Sequence, residues 1–210
     1  MTYLTLCHNV LTKEGWVRSI KLDSTHDIAV LDKNYNMYYT NLKTIEIKEK
    51  CNVPMCIIMS KDVNIYISLD ANISSKIHNN FLDIPLTQTG MCFNIMKTSN
   101  GLLNNDKYNE LVGLYKNSGS IYCSDLKESD KLQVSLIECG YCVDREQIFK
   151  FNSVLGYKLN YNIENMGYVN NDDYTSVSTE HNHIFKLNLL DKDAKYVCVE
   201  RYDKTAWVEI

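Results

Sequence analysis

The chain has 210 residues, with 22 Lys and Arg against 26 Asp and Glu, a formal net charge of −4, and 45% hydrophobic and 23% charged residues. These proportions suit a globular protein long enough to bury a core and exclude a disordered chain, and the acidic balance argues against general attraction to nucleic acid or to an anionic membrane. No apolar run reaches the roughly 18 residues of a membrane-spanning helix, and the first residues lack the basic and apolar regions of a signal peptide. The expectation is therefore a cytoplasmic protein, or a piece cut from a longer polyprotein.

Eight cysteines would permit four disulfides, but a chain of this length without an export signal is expected to keep its thiols reduced. Fifteen Tyr against two Pro, with many Asn, Ile and Lys, look like the output of an AT-rich genome, which makes Asn and Lys counts poor functional evidence.

In chain order, Met1 to Cys7 reads as a short apolar strand. After the turn Lys13-Glu14-Gly15, Trp16 to Leu22 alternates apolar and polar residues, the pattern of a half-buried strand. Ile28 to Leu31 is an apolar run closed by the turn Asp32 to Asn36. Thr44 to Lys48 alternates again, Cys56 to Met59 is a buried-type run, and Val63 to Leu69 is the strongest strand signal. Short β-branched elements about ten residues apart are the rhythm of a sandwich or barrel.

Leu111 to Leu114 reads as a strand, although Asn105-Asp106 could instead cap a helix through Tyr115. A tight turn is expected over Asn117-Ser118-Gly119-Ser120, then strands ending at Cys123 and covering Lys131 to Gly140. Arg145 to Leu155 is a second helix candidate. Asn160 to Ser178 reads as a long loop. His183 to Leu190 and Lys195 to Glu200 read as a hairpin, with Trp207 to Ile210 as a last strand.

A Gly-flanked Ser between strands is one way a fold presents a nucleophile, since Gly permits a tight turn with its N–H groups facing a reacting oxygen. Such a hydroxyl needs a base within hydrogen-bond reach and a carboxylate to orient that base; His8, Asp27 and Ser118 supply the three types. A Ser in a turn is equally an ordinary turn residue, and His8 an ordinary partner for a backbone group.

Leu4 to Val10, Asp27 to Leu31, and Asn117 to Cys123 with Lys131 to Ile137 together resemble the base, acid and nucleophile regions of chymotrypsin-like proteases, especially the compact viral polyprotein-processing ones. The resemblance implies a mostly β protein with a double β-barrel, incomplete at the N-terminus because only seven residues precede His8, and a small C-terminal β extension. The implied parts are a barrel half over 1–80, a second over 81–155, and a loop with a hairpin over 156–210.

The implied function is a viral-type endopeptidase. Ser118 would be its nucleophile, His8 its base and Asp27 its orienting acid, with Lys116 and Ser118 at the oxyanion position, where the family usually has Gly in place of Lys116. Cys92, two residues after Gly90, is the alternative nucleophile, as in cysteine-bearing viral relatives. Cys92 with His181 or His183 and Asp203 follows the order of papain-like proteases. The expected partner is a polypeptide substrate, with host proteins and a homodimer as further partners, and no nucleic acid or membrane.

Other chemistries remain open. Cys51-x4-Cys56 and Cys139-x2-Cys142 could form a four-thiolate zinc site, and His181-x-His183 would face one side of a strand; no metal is nevertheless assigned, and no cofactor. The alternative function is a non-catalytic viral host-interaction or immune-evasion protein on a protease-like scaffold. A poxin-type cyclic-dinucleotide nuclease belongs to that alternative, with Tyr39 and Lys43 as its nearest Tyr and Lys pair. Nothing resembles a phosphate loop or dinucleotide fingerprint. Asp172-Asp173, Asp191 and Asp193 fall in expected loops as solvated turn residues.

Overall fold

β-Branched and aromatic alternation dominates the chain, and strands dominate its structure. The computed structural model describes residues 2–77, 80–102, 117–164, 166–177 and 182–210. An 11-stranded sheet organises them. Its strands from the N-terminal half are β1 (Leu4–Thr5), β2 (Asn9–Thr12), β3 (Gly15–Arg18), β4 (Asp27–Leu31), β5 (Met37–Cys51), β6 (Met55–Met59) and β7 (Asn64–Ser68). β1, β3, β4, β6 and β7 fall on stretches whose pattern predicts a strand and β5 includes one, whereas β2 lies between two such stretches and is missed, and the stretch expected to run on to Leu22 leaves the strand at Ser19–Lys21 for a single 3-10 turn.

β8 (Asn72–Ile77) pairs with β9 (Asn80–Pro85), and β10 (Cys92–Met96) pairs with β14 (Met166–Asn170). A three-stranded sheet, β11 (Ser118–Cys123), β13 (Ser153–Asn162) and β12 (Cys142–Lys150), carries the helix α1 (Leu126–Glu138) before β12. β15 (Tyr174–Val177), β16 (Asn182–Leu189), β17 (Tyr196–Arg201) and β18 (Lys204–Glu209) return to the large sheet.

The mostly β expectation holds. The double barrel does not: the large sheet runs in the open order β15-β6-β7-β1-β16-β5-β4-β17-β2-β3, with β18 on β17, and no barrel closes among the described residues. The strands expected as a C-terminal extension lie inside that order. β16 sits between β1 and β5, and β17 between β4 and β2. β16 and β17 therefore form no hairpin with each other; β17 turns back into β18.

Other local expectations are corrected too. Lys131 to Glu138 lies in a helix, not a strand, because the Asp125 carboxylate accepts the Glu128 N–H at 2.8 Å as an N-cap and Val134, Leu136 and Ile137 recur on the buried face. Gly140, at φ 92, takes the left-handed conformation that ends such a helix. Arg145 to Leu155 is a hairpin, not a helix, since β12 pairs residue by residue with β13. Ser118 to Ser120 is the start of β11, opposite Asn162 to Asn160, not a turn. The loop expected over Asn160 to Ser178 contains β14 and β15. Leu111 to Lys116, with the competing helix over 105–115, lies outside the described residues.

Two apolar clusters divide the faces of the large sheet. In β17, fully buried, Val197 and Val199 join one cluster while Tyr196 and Cys198 join the other, which also takes Val134, Leu136 and Ile137 of α1. Burial of this area is the main stabilising term, roughly 25 cal/mol per Å² of apolar surface. The Trp16 indole N–H donates to Gln133 Oε1 at 2.7 Å, and Gln133 Nε2 donates to the Val143 carbonyl at 2.6 Å, tying α1 to β3 and β12.

Candidate functional site

Polar side chains from three distant parts of the chain meet where β1 turns into β2. Asn64 and Tyr66 project from alternate positions of β7, as a period of two requires. Arg201 ends β17 and begins a tight turn in which Tyr202 and Asp203 hold φ 45 and 68, left-handed values uncommon for a bulky residue. Glu200 braces that turn, its carboxylate accepting from the Asp203 N–H at 3.0 Å and from Asn9 Nδ2 at 2.8 Å.

His8 is wholly buried. Its Nδ1 lies 2.9 Å from the Thr5 carbonyl oxygen and its Nε2 receives the Tyr66 backbone N–H at 3.2 Å. A carbonyl can only accept and an N–H only donate, so the proton sits on Nδ1. Burial first, with the Arg201 charge adding to it and the Thr5 bond opposing, depresses its pKa from 6.5 to about 4. The imidazole is thus neutral and fixed in one tautomer.

With Nδ1 as donor, Thr5 Oγ1 at 3.2 Å accepts from the ring, and its own hydroxyl proton is free to point at Cys7 Sγ, 2.8 Å away. Arg201 Nε donates to the same sulfur at 3.1 Å. The guanidinium is itself buried, its Cζ 3.8 Å from the Tyr66 ring centroid and 4.5 Å from that of Tyr202, and a second nitrogen donates to Asn64 Oδ1. Cys7 remains exposed. An exposed sulfur accepting two hydrogen bonds, one from a cation, is arranged as a nucleophile. One residue upstream, the Leu6 carbonyl oxygen accepts from the Ser19 hydroxyl at 3.1 Å.

A second polar cluster joins the three-stranded sheet to β18. Lys97 is buried, with Nζ 3.0 Å from Asp144 Oδ2 and bonded to the Asp62 carbonyl. Burial disfavours its charge, but Cys142 and Asp144 together raise its pKa above the ordinary lysine value. Asp144 Oδ1 accepts the Thr205 N–H at 2.9 Å and its hydroxyl at 3.1 Å. Burial pushes the Cys142 thiol up to about 11, so this sulfur is inert. The hollow above, about 280 Å³, is lined by Ser118, Ser120, Asn160 and Asn162.

The described hydrogen bonds bring no two of His8, Asp27 and Ser118 together. Asp27 accepts from Asn41 Nδ2 at 2.7 Å across β4 and β5, Ser118 is exposed opposite Asn162, and Cys92 is exposed opposite Asn170. Lys116 and His181 lie outside the described residues, and His183 is exposed on β16. Asp203 is the second turn residue beside Glu200, where burial and the Glu200 charge raise its pKa. Tyr39 donates its hydroxyl to Glu138 at 2.7 Å, a structural bond, and Lys43 is exposed. Among the described residues, no group of three or more His, Cys, Asp or Glu could hold a metal. Sequence reasoning missed Cys7, Thr5, Arg201, Asn64, Tyr66 and Ser19; only the shared face of Asn64 and Tyr66 was visible in the alternation of Val63 to Leu69.

No family model matches the chain, and no curated protein does. Among solved structures it is similar to a splice-inactive variant of the AceL NrdHF class 3 split intein, with 8% identity, a TM-score of 0.51, and coverage of 98% of this chain and 96% of that one. It is likewise similar to the transcription factor IIB Mvu mini-intein, with 8% identity, a TM-score of 0.51, and coverage of 99% of both. At such identity the likeness defines the fold alone, and that fold is intein-like. It overturns the resemblance to chymotrypsin-like proteases and, with it, the viral serine or thiol endopeptidase. The immune-evasion and poxin-type alternatives go with the same scaffold.

Proposed function

We propose that the chain is a self-processing domain of the protein-splicing kind, with Cys7 as the residue that takes the acyl group. The fold neighbours are inteins, and the split intein was solved as a splice-inactive variant in which one cysteine and one asparagine are alanine; a thiol is the corresponding requirement here. The single observation that carries the reading is that Leu6 and Cys7, joined by one peptide bond, have carbonyl and sulfur polarised by different residues, Ser19 on the oxygen and Arg201 with Thr5 on the sulfur.

In this reaction the Cys7 sulfur attacks the Leu6 carbonyl carbon. A C–S bond forms, the C–N bond between the residues breaks, and the thiol proton passes to the freed Cys7 nitrogen. The product is a thioester isomer of the peptide, with atoms and electrons conserved. Ser19 bonds the oxygen on which charge develops, Arg201 and Thr5 orient the sulfur, and neutral His8 holds Thr5 through Nδ1. The substrate is the polypeptide itself.

The test is incubation of the purified chain with a small thiol or hydroxylamine at neutral pH, followed by intact mass measurement. The expected result is loss of the peptide Met1 to Leu6, abolished in Cys7→Ala. An intact chain, or equal loss from Cys7→Ala, would overturn the reading.

A further inference from the structure

The turn of the β12–β13 hairpin presents an apolar tip that is exposed among the described residues. Residues 149–155 are all exposed, Phe151 at 91%, Phe149 at 60% and Leu155 at 57%. Phe151 and Asn152 form the two-residue turn at φ 51 and 64. The left-handed conformation disfavours a bulky side chain, and here it holds a phenylalanine out in solvent. Phe149 pairs with Val154 and so shares its face, and a bulge between Ile148 and Phe149 sets Leu155 off the ladder.

We propose that this tip inserts into the interface of an anionic lipid bilayer. Two features favour lipid over protein. The first is charge: Lys150 is the one charged residue among residues 149–155, its Nζ 5.6 Å from the Phe151 centroid, while Glu146 farther down the strand is neutralised by Lys158 at 3.6 Å. An apolar end with a single cation suits a phosphate headgroup layer, where the ring enters the acyl boundary and the ammonium stays at the surface. The second is area. Four apolar side chains fall far short of the roughly 20–30 residues a side of a stable protein interface, whereas partial insertion needs only a small apolar point. The hairpin also brings its ladder with it: Lys150 pairs with Ser153 and Phe149 with Val154, so insertion strands few backbone groups. The net charge of −4 opposes general membrane attraction, and the tip is a local exception.

The experiment is co-sedimentation of the full chain with phosphatidylcholine vesicles, with and without phosphatidylglycerol. The chain is expected to pellet with the anionic vesicles. Phe149→Ser combined with Phe151→Ser lowers the bound fraction about tenfold with an unchanged circular dichroism spectrum, and Lys150→Glu lowers it several-fold on anionic vesicles. Emission of Phe151→Trp, read against the native tryptophans in the parent chain, shifts to the blue on adding vesicles. A chain that stays in the supernatant, or a double variant that pellets like the parent, overturns the proposal. So does a tip that instead drives dimerisation in gel filtration without lipid.

Discussion

Arg201 donates from Nε to the sulfur of Cys7 across 3.1 Å, joining residues 194 positions apart in the chain. The contact exists because β17 pairs with β2, Glu200 standing opposite Asn9 two residues after Cys7, and because the turn after Arg201 is braced by Glu200. Removing the guanidinium leaves Thr5 as the one remaining donor described on that sulfur. Alkylation of Cys7 by iodoacetamide should therefore slow about tenfold in Arg201→Met and less in Arg201→Lys. Mass mapping should show Cys92 labelling at an unchanged rate, and Cys142 and Cys198, both buried with raised thiol pKa values, unlabelled in the folded protein.

Ser19→Ala removes the hydroxyl from the Leu6 oxygen without touching the sulfur. Thiol-dependent release of Met1 to Leu6 should fall by roughly 10²-fold, the scale of one lost oxyanion donor, while alkylation of Cys7 stays as it was. Equal losses in both assays would mean that Ser19 supports the turn and not the reaction.

His8 links stability to pH. Its folded pKa of about 4 lies below the ordinary histidine value of 6.5, so the unfolded chain binds the proton more readily. The stabilisation is complete above pH 6.5 and is lost as the pH falls toward 4, by as much as about 3 kcal/mol. Urea unfolding between pH 7 and 4 should show this slope, and His8→Gln should flatten the part of it above pH 4.5. An unchanged slope would remove His8 from the account.

Lys97 and Asp144 are a buried ion pair whose partners also bond the backbone at Asp62 and Thr205. Breaking it from one side strands a charge, so Asp144→Asn or Lys97→Met should each destabilise by about 3–5 kcal/mol. The double variant should recover part of that loss in denaturant melts; simple additivity would show that the two side chains act separately.

The cap of α1 is a smaller and cleaner test. Asp125→Ala leaves the Glu128 N–H without its acceptor and should cost about 1 kcal/mol in thermal or urea unfolding, with no effect on Cys7 reactivity.

Period-two alternation and apolar runs were enough to read β3, β4, β6, β7, β16, β17 and β18 from residues alone, because side-chain direction in a strand is a local property. The same locality misread Lys131 to Glu138, where the Asp125 cap and a buried helical face override a run that also suits a strand. It misread Ser118 to Ser120 too: small polar residues with Gly look like a turn, yet across the sheet they find Asn160 to Asn162 as partners. His8 stands out by residue type, whereas Cys7 reads only as the end of the first strand and the candidate thiol is Cys92. The surroundings of His8 were not legible, since whether a histidine is a base or a buried anchor depends on which backbone groups reach its ring, and Tyr66 is 58 positions away. Sequence alone determined a mostly β chain and singled out His8. Only the tertiary structure, by pairing β17 with β2, decided that the Cys7 sulfur faces Arg201 and, by pairing β11 with β13, that Ser118 lies opposite Asn162, because sheet order is set by packing between strands far apart in the chain.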